Sequence, residues 1–188
     1  MKKVKPSGPA IFMDCVIGLA LITAVVCFVL YYGSFFATPA ILWTGVTAFT
    51  IMYHLWLRII FGNITKLFKS KIRYDGWWFK EKRGEGAFYR LIRVKNWKGK
   101  ALTYEPSAFS LKENSLEQIA TNMTKAETDH WLNVGISLST LLFGLMWGKL
   151  WIFALTAFFA ILFDGQFIVI QRYNRPRVVK LLNKTSIV

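Results

Sequence analysis

No Asp, Glu, Lys or Arg interrupts the sequence between Cys15 and Leu57. A helix needs about 20 apolar residues to cross the hydrocarbon core of a bilayer, so this stretch accommodates two spans. A second apolar region, from Leu132 to Ile170, contains only Lys149 and Asp164 as charged residues. This second region accommodates two more transmembrane spans. We therefore predict four transmembrane helices, at about 10–32, 39–60, 131–148 and 150–171.

The composition agrees with a membrane protein. Of the 188 residues, 54% are hydrophobic and 16% aromatic, which is more than an ordinary soluble domain carries. We expect an all-α integral membrane protein that forms a single domain over residues 1–188. Its four spans would make two hairpins, with a basic, aromatic interfacial region at 61–130 between the second span and the third.

The basic residues predict the orientation of the chain. Of the 24 Lys and Arg residues, 23 lie in the two tails or between Arg58 and Lys125, and only Lys149 lies in the turn between the third and fourth spans. The positive-inside rule then places both termini and the middle region in the cytoplasm. This topology accounts for the net charge of +14. We expect contact with membrane lipids and no nucleic-acid partner, because no recognition motif accompanies the charge.

The middle region is rich in aromatic residues between positions 74 and 109. Such rings concentrate at the bilayer–water interface, which favours a lid seated on the membrane, but they also stack on sugar faces. The two roles stay open. These residues are Trp77, Trp78, Phe79, Phe88, Tyr89, Trp97, Tyr104 and Phe109. Ser110 and Glu113 then have the spacing of a capping box, which predicts that a helix begins there and runs into the third span.

Two ionisable residues continue the apolar face of that helix. Leu116, Ile119, Ala120 and Met123 form a stripe at helical spacing. At 100° per residue, Glu127 and His130 fall on the same face, one turn apart, near the predicted membrane surface. They are candidates for acid–base chemistry, and the alternative is a structural pair whose two members satisfy each other where the helix enters the membrane.

Asp164 is the other candidate in an apolar environment. It shares a helix face with Gln171 and Arg175, which follow at spacings of seven and four residues. A carboxylate at this depth in the bilayer is expensive unless it is paired or protonated, which makes it a candidate for a functional site. The alternative is a hydrogen bond to a Ser or Thr of the third span.

Three ordered motifs resemble one known family. They are Tyr89-x-x-Ile92-x-Val94-Lys95-x-Trp97-Lys98, Thr124-x-x-Glu127-x-x-His130-Trp131 and Gln171-Arg172-Tyr173-Asn174-Arg175. This pattern is similar to that of the glycosyl-4,4'-diaponeurosporenoate acyltransferases, small bacterial membrane enzymes. The likeness covers about residues 86–182, and the first two spans resemble the family only in being hydrophobic. The family tends to have Asn where this chain has Asp164.

The resemblance implies a reaction and its partners. A membrane O-acyltransferase would esterify a sugar hydroxyl of a glycosylated carotenoid or a similar glycolipid with a fatty acyl group. Its partners would be an acyl donor, either acyl-CoA or acyl carrier protein, and the membrane glycolipid acceptor. No cofactor is expected. The location implied is the bacterial inner membrane, crossed several times.

The same resemblance suggests roles for the motif residues. His130 would be the general base, since histidine exchanges a proton near neutral pH, and Glu127 would fix its tautomer. These two catalytic candidates are joined by eight further residues that would bind substrate. Arg172 and Arg175 would hold a donor phosphate or the oxyanion. Asn174, Gln171 and Asp164 would line the pocket, and Lys95, Trp97 and Lys98 would contact a donor headgroup.

Other chemistries remain as alternatives. Glu127 and His130 would need His54 or Asp164 to complete a metal site, and we expect none. The chain lacks His-x-x-x-x-Asp and Gly-x-Ser-x-Gly motifs, so a different transferase or reductase, or a non-enzymatic lipid-binding scaffold, also fits the sequence. For the acyltransferase we expect Glu127, His130 and Asp164 to converge in one cavity with Arg172 or Arg175.

Overall fold

A computed structural model of the chain describes residues 8–101 and 105–185. Within these ranges all regular structure is helical and no strand occurs, which confirms the all-α prediction. The α-helices are α1 (Gly8–Tyr32), α2 (Pro39–Leu67), α3 (Glu85–Leu91), α4 (Val94–Trp97), α5 (Leu116–Ser139), α6 (Phe143–Trp147) and α7 (Leu150–Thr185). Short 3-10 turns lie at Lys69–Lys71, Trp77–Phe79, Lys98–Lys100, Pro106–Phe109 and Thr140–Leu142. The predictions for the tail lysines, Lys2, Lys3 and Lys5, and for Tyr104 fall outside the described residues.

The chain divides into two compact units, at residues 1–60 and 61–188. A single domain over 1–188 stays a prediction. In the first unit, α1 and α2 form a hairpin whose second helix begins at Pro39, where the fixed backbone angle of proline suits a first helical turn. Gly45 permits close contact, since a Cβ there would lie 2.9 Å from the Cβ of Cys27.

In the second unit, α5 and α6 run antiparallel to α7 along much of its length. At one end, Glu127 of α5 binds Arg172 and Arg175 of α7. At the other end, the ring centroids of Phe143 and Phe153 lie 6.0 Å apart. The turn between α6 and α7 uses Gly148, whose φ of 70° is in the region that glycine adopts most easily.

Three helices of the described chain are long and apolar enough to cross a membrane, against the four that we predicted. They are Ile11–Tyr32, Pro39–Leu67 and Leu150–Thr185. The segment predicted as the span at 131–148 is divided between the end of α5, the turn at Thr140–Leu142 and the five-residue α6. The polar residues in α5 and the break after Ser139 keep this segment from forming one long apolar helix.

Two helix boundaries also differ from the sequence-based expectation. Helix α2 continues to Leu67 instead of ending near residue 60, and only then gives way to the turn at Lys69–Lys71. Helix α5 begins after Ser115, whose side chain accepts a hydrogen bond from the backbone N–H of Gln118 while the Gln118 side chain accepts one from Ser115. The capping box predicted at Ser110 and Glu113 is therefore wrong, and the helix begins after Ser115 instead.

Candidate active site

His130 and Asp164 form a pair between α5 and α7. The Nδ1 atom of His130 lies 2.8 Å from Oδ1 of Asp164. Asn133, one turn further along α5, donates from Nδ2 to the same oxygen at 3.1 Å. Asp164 is fully buried, whereas 22% of the His130 side chain is exposed. Asp164 thus accepts hydrogen bonds from this histidine and this amide, and the alternative of a Ser or Thr partner stays a prediction.

This contact fixes the tautomer of the neutral His130 ring. An ionised Asp164 only accepts hydrogen bonds, and with that partner a neutral imidazole carries its proton on Nδ1 and keeps a lone pair on Nε2. Phe167 holds the plane of the ring, with its centroid 4.7 Å from that of His130 and an angle of 8° between the rings. The imidazole is thus oriented by a hydrogen bond on its edge and by stacking on its face.

Glu127 belongs to a different cluster. Its Oε1 accepts a hydrogen bond of 2.7 Å from Nε of Arg172, and its Oε2 accepts one of 2.6 Å from Nη1 of Arg175. Glu127 is completely buried and Arg175 is 2% exposed. A buried carboxylate with two guanidinium partners is a compensated charge, which is the condition under which such burial is tolerated.

The two arginines also fasten the aromatic segment to α7. Arg172 donates to the backbone carbonyl of Trp78 at 2.9 Å, and Arg175 donates to that of Phe79 at 2.7 Å. Arg172 additionally binds Glu85 at 2.6 Å. At least part of the aromatic segment is therefore docked on α7 by ionic and backbone contacts.

The expected roles of two residues change with these contacts. Glu127 does not orient His130, because both of its oxygens accept from arginine and the His130 Nδ1 atom faces Asp164. The separation arises because Glu127 meets α7 about two to three turns beyond the position at which His130 meets it. Arg172 and Arg175 in turn have their charges matched by Glu127 and Glu85, so neither is an uncompensated phosphate ligand.

The other predicted site residues lie around the end of α7. Lys98 donates from Nζ to Oδ1 of Asn174 at 2.6 Å, and Trp97 donates from its indole to the carbonyl of Ile92 at 2.9 Å. Gln171 is buried and Lys95 is exposed. The indole N–H of Trp97 is therefore used in a hydrogen bond within its own segment of the chain.

A cavity of about 540 Å³ lies where α3, α4 and α7 meet. Of the predicted site residues, Lys95 and Arg172 line it. Tyr89 also lines it, and burial raises the pKa of this phenol, with the neighbouring Glu85 carboxylate raising it further. Of the residues expected to converge in one cavity, Arg172 lines this one, whereas Glu127, His130, Asp164 and Arg175 are not among its lining residues.

Two residues of the clusters were missed by the sequence reasoning. Glu85 is an acidic residue in a strongly basic region and follows Gly84, a turn residue with φ of 94°. Asn133 is a polar residue one turn after His130 in an apolar run. Both are recognisable as exceptions to their surroundings. As for metals, residues 8–101 and 105–185 contain no group of three or more His, Cys, Asp or Glu side chains placed to hold an ion.

Comparison with known proteins identifies the second unit. The family model described as glycosyl-4,4'-diaponeurosporenoate acyltransferase matches residues 75–184. This range includes both ionic clusters, the aromatic segment from Trp77 and nearly all of α7. No curated relative and no solved structure matches the chain. The match covers more than half of the sequence, and the chain belongs to the glycosyl-4,4'-diaponeurosporenoate acyltransferase family.

Proposed function

We propose that this protein is a membrane O-acyltransferase that joins a fatty acyl group to a sugar hydroxyl of a glycosylated carotenoid or a similar membrane glycolipid. The observation that carries the proposal is the His130–Asp164 pair. A buried carboxylate fixes an imidazole that is itself partly exposed. This is the arrangement that a general base for a sugar hydroxyl requires.

His130 moves the proton in this scheme. The sugar oxygen attacks the carbonyl carbon of an acyl thioester as Nε2 of His130 removes the hydroxyl proton, and a C–O bond forms. The C–S bond then breaks, and the imidazolium returns the proton to the leaving thiolate. Asp164 stabilises the imidazolium charge, and base catalysis of this kind typically contributes about 10²–10⁴-fold to a rate.

Glu127 acts indirectly. With Arg172 and Arg175 it holds α5, α7 and the segment at Trp77–Phe79 in one arrangement, so it is a positioning residue. This role replaces the catalytic role expected for Glu127 from the sequence.

The membrane setting suits a glycolipid acceptor. Helix α7 has 36 residues and is therefore about 54 Å long, which exceeds the hydrocarbon thickness of about 30 Å. The residues before Gln171 suffice to cross it, so the motif that begins at Gln171 would lie near the headgroups. We propose the cytoplasmic side of a bacterial inner membrane, on the grounds of the basic residues alone.

The test is direct formation of the ester. Purified protein in lipid nanodiscs receives a glycosylated apocarotenoate and a fatty acyl-CoA, and mass spectrometry follows the acylated product. The proposal predicts an ester on the sugar. A non-enzymatic scaffold would bind the glycolipid without producing an ester under any donor, acyl carrier protein included, and that result would refute the proposed activity.

A further inference from the structure

The cavity between α3, α4 and α7 is strongly basic, and the base-and-carboxylate pair of the proposed reaction does not use it. Its volume of about 540 Å³ is in the range of small-molecule sites. Six basic residues line it, against Glu81 as the acidic one: Arg90, Arg93, Lys95, Arg172, Arg177 and Lys180.

Most of this positive charge is not neutralised by the protein. Arg172 is matched by Glu85 and Glu127, and Arg177 lies over the ring of Tyr173 with its guanidinium carbon 3.6 Å from the centroid. The other four basic side chains form no ion pair within the described part of the chain. A concave surface with one sign of charge concentrates oppositely charged ligands.

The neighbouring Lys98 is also affected by the concentration of positive charge in this region. Burial lowers the pKa of its ammonium group, and the charges of Arg177 and Lys95 lower it further. An anion in the cavity would relieve this repulsion, because it would bring a negative charge between cations that now face one another.

The backbone conformation of Arg93 is a second, independent observation that points to a ligand in the cavity. Arg93 connects α3 to α4 with φ of 50°, in the left-handed region that glycine adopts more easily than arginine. If only the turn mattered, glycine would adopt this conformation with less backbone strain. An arginine held in a strained conformation at the wall of a cavity indicates that its side chain has a use there.

From these observations we infer that the cavity binds the phosphate groups of the acyl donor, which makes the donor a phosphate-bearing acyl carrier. This inference rests on the proposed acyl transfer and adds the class of donor and the place where it binds. Guanidinium groups match phosphate oxygens in two-pronged geometry, and ammonium groups add charge without that constraint. Arg172 lines the cavity and also binds Glu127, so the donor would lie next to the cluster that positions α5.

Phosphate of this kind has two sources at a membrane: the nucleotide part of coenzyme A and the headgroup of an anionic phospholipid. The experiment separates them. Full-length protein in phosphatidylcholine nanodiscs is titrated with free coenzyme A by calorimetry at low and high salt. The titration is then repeated in discs that contain phosphatidylglycerol.

Three variants accompany the wild type. Arg93→Gly and Lys95→Ala should each weaken the binding of coenzyme A by roughly tenfold, the effect of losing one charged contact. Arg93→Gly should also keep or raise the melting temperature, because glycine relieves the backbone strain. Lys112→Ala, which removes an exposed lysine outside the cavity, is the matched control and should leave the affinity unchanged.

Each outcome decides the question. Salt-sensitive binding that both cavity variants weaken supports a nucleotide donor. If phosphatidylglycerol instead competes with coenzyme A in the wild type but not in the variants, the site is a phosphate site supplied by the lipid headgroup. Absence of coenzyme A binding together with no effect of phosphatidylglycerol overturns the inference, as does wild-type affinity in both variants. Ester formation without any such binding would overturn this site alone, and binding without ester would refute the acyl transfer instead.

Discussion

At the scale of single residues, the carboxylate of Asp164 determines how well His130 can act as a base. Asp164 supplies both a hydrogen-bond acceptor for Nδ1 and a negative charge for the imidazolium. In Asp164→Asn the amide oxygen keeps the first role and loses the second, so we expect a rate of ester formation about tenfold lower. Asp164→Ala loses both roles, so its rate of ester formation should be lower by about 10²-fold or more.

These rates are compared at saturating substrate, with melting temperatures as the control for folding. Equal rates for Asp164→Asn and Asp164→Ala at equal stability would contradict a role for the acceptor.

The buried cluster around Glu127 makes a separate prediction about stability. Glu127→Gln leaves the buried Arg175 without its carboxylate and Arg172 with Glu85 alone, and removing one partner of a buried ion pair typically costs about 3–5 kcal/mol. We expect a loss of this size in the free energy of unfolding, measured by denaturant titration with tryptophan fluorescence. Asp75→Asn breaks the exposed Arg73 pair instead and should change the unfolding midpoint very little.

The sequence predicted which side chains lie near one another but not how they pair. Helical periodicity places Glu127 and His130 on one face of α5, and Asp164 and Arg175 on one face of α7. It does not determine how far one helix slides along the other. That offset decides which residues of α7 each side chain meets: His130 meets Asp164, whereas Glu127 meets Arg172 and Arg175.

At the scale of helices, the first turn of α5 is held by the capping box of Ser115 and Gln118. Ser115→Ala removes the acceptor of the Gln118 N–H and should cost about 1 kcal/mol of stability. Ser110→Ala is the matched control, because Ser110 precedes the helix and its side chain accepts a hydrogen bond from the N–H of Lys112, which is not in α5. Equal losses for the two variants, in the same denaturant titration, would contradict this helix start.

Helix ends were predictable where one residue type enforces them. Pro39 begins α2 and Gly148 ends α6, as the sequence indicated. The break at Thr140–Leu142 was not predictable, because Ser139, Thr140 and Leu141 are compatible with a continuous helix. Nor was the extent of α7, which continues through Pro176 to Thr185. Tertiary contacts of the second unit decide these boundaries.

At the scale of the whole molecule, the three apolar helices and the antiparallel course of α5 and α6 along α7 raise a question of topology. If α7 crosses the bilayer, the segment at 131–148 lies beside it at similar depth, although it is not a continuous apolar helix. We therefore predict that Lys149 is on the outer side and that Lys112 is on the cytoplasmic side, as the distribution of basic residues requires.

Cysteine labelling tests this orientation. In a background with Cys15 and Cys27 replaced by alanine, Lys149→Cys should react with a membrane-impermeant maleimide in intact cells, and Lys112→Cys should react only after permeabilisation. Labelling of both positions from one side would contradict the arrangement.

The central claim is that His130 is the base of an acyl transfer. The most direct measurement is the rate of ester formation by His130→Gln relative to the wild type, with donor and glycolipid saturating and with the folded fraction of each protein measured. We predict a rate lower by about 10²–10⁴-fold at an unchanged melting temperature. A variant that folds normally and forms the ester at the wild-type rate would contradict the claim.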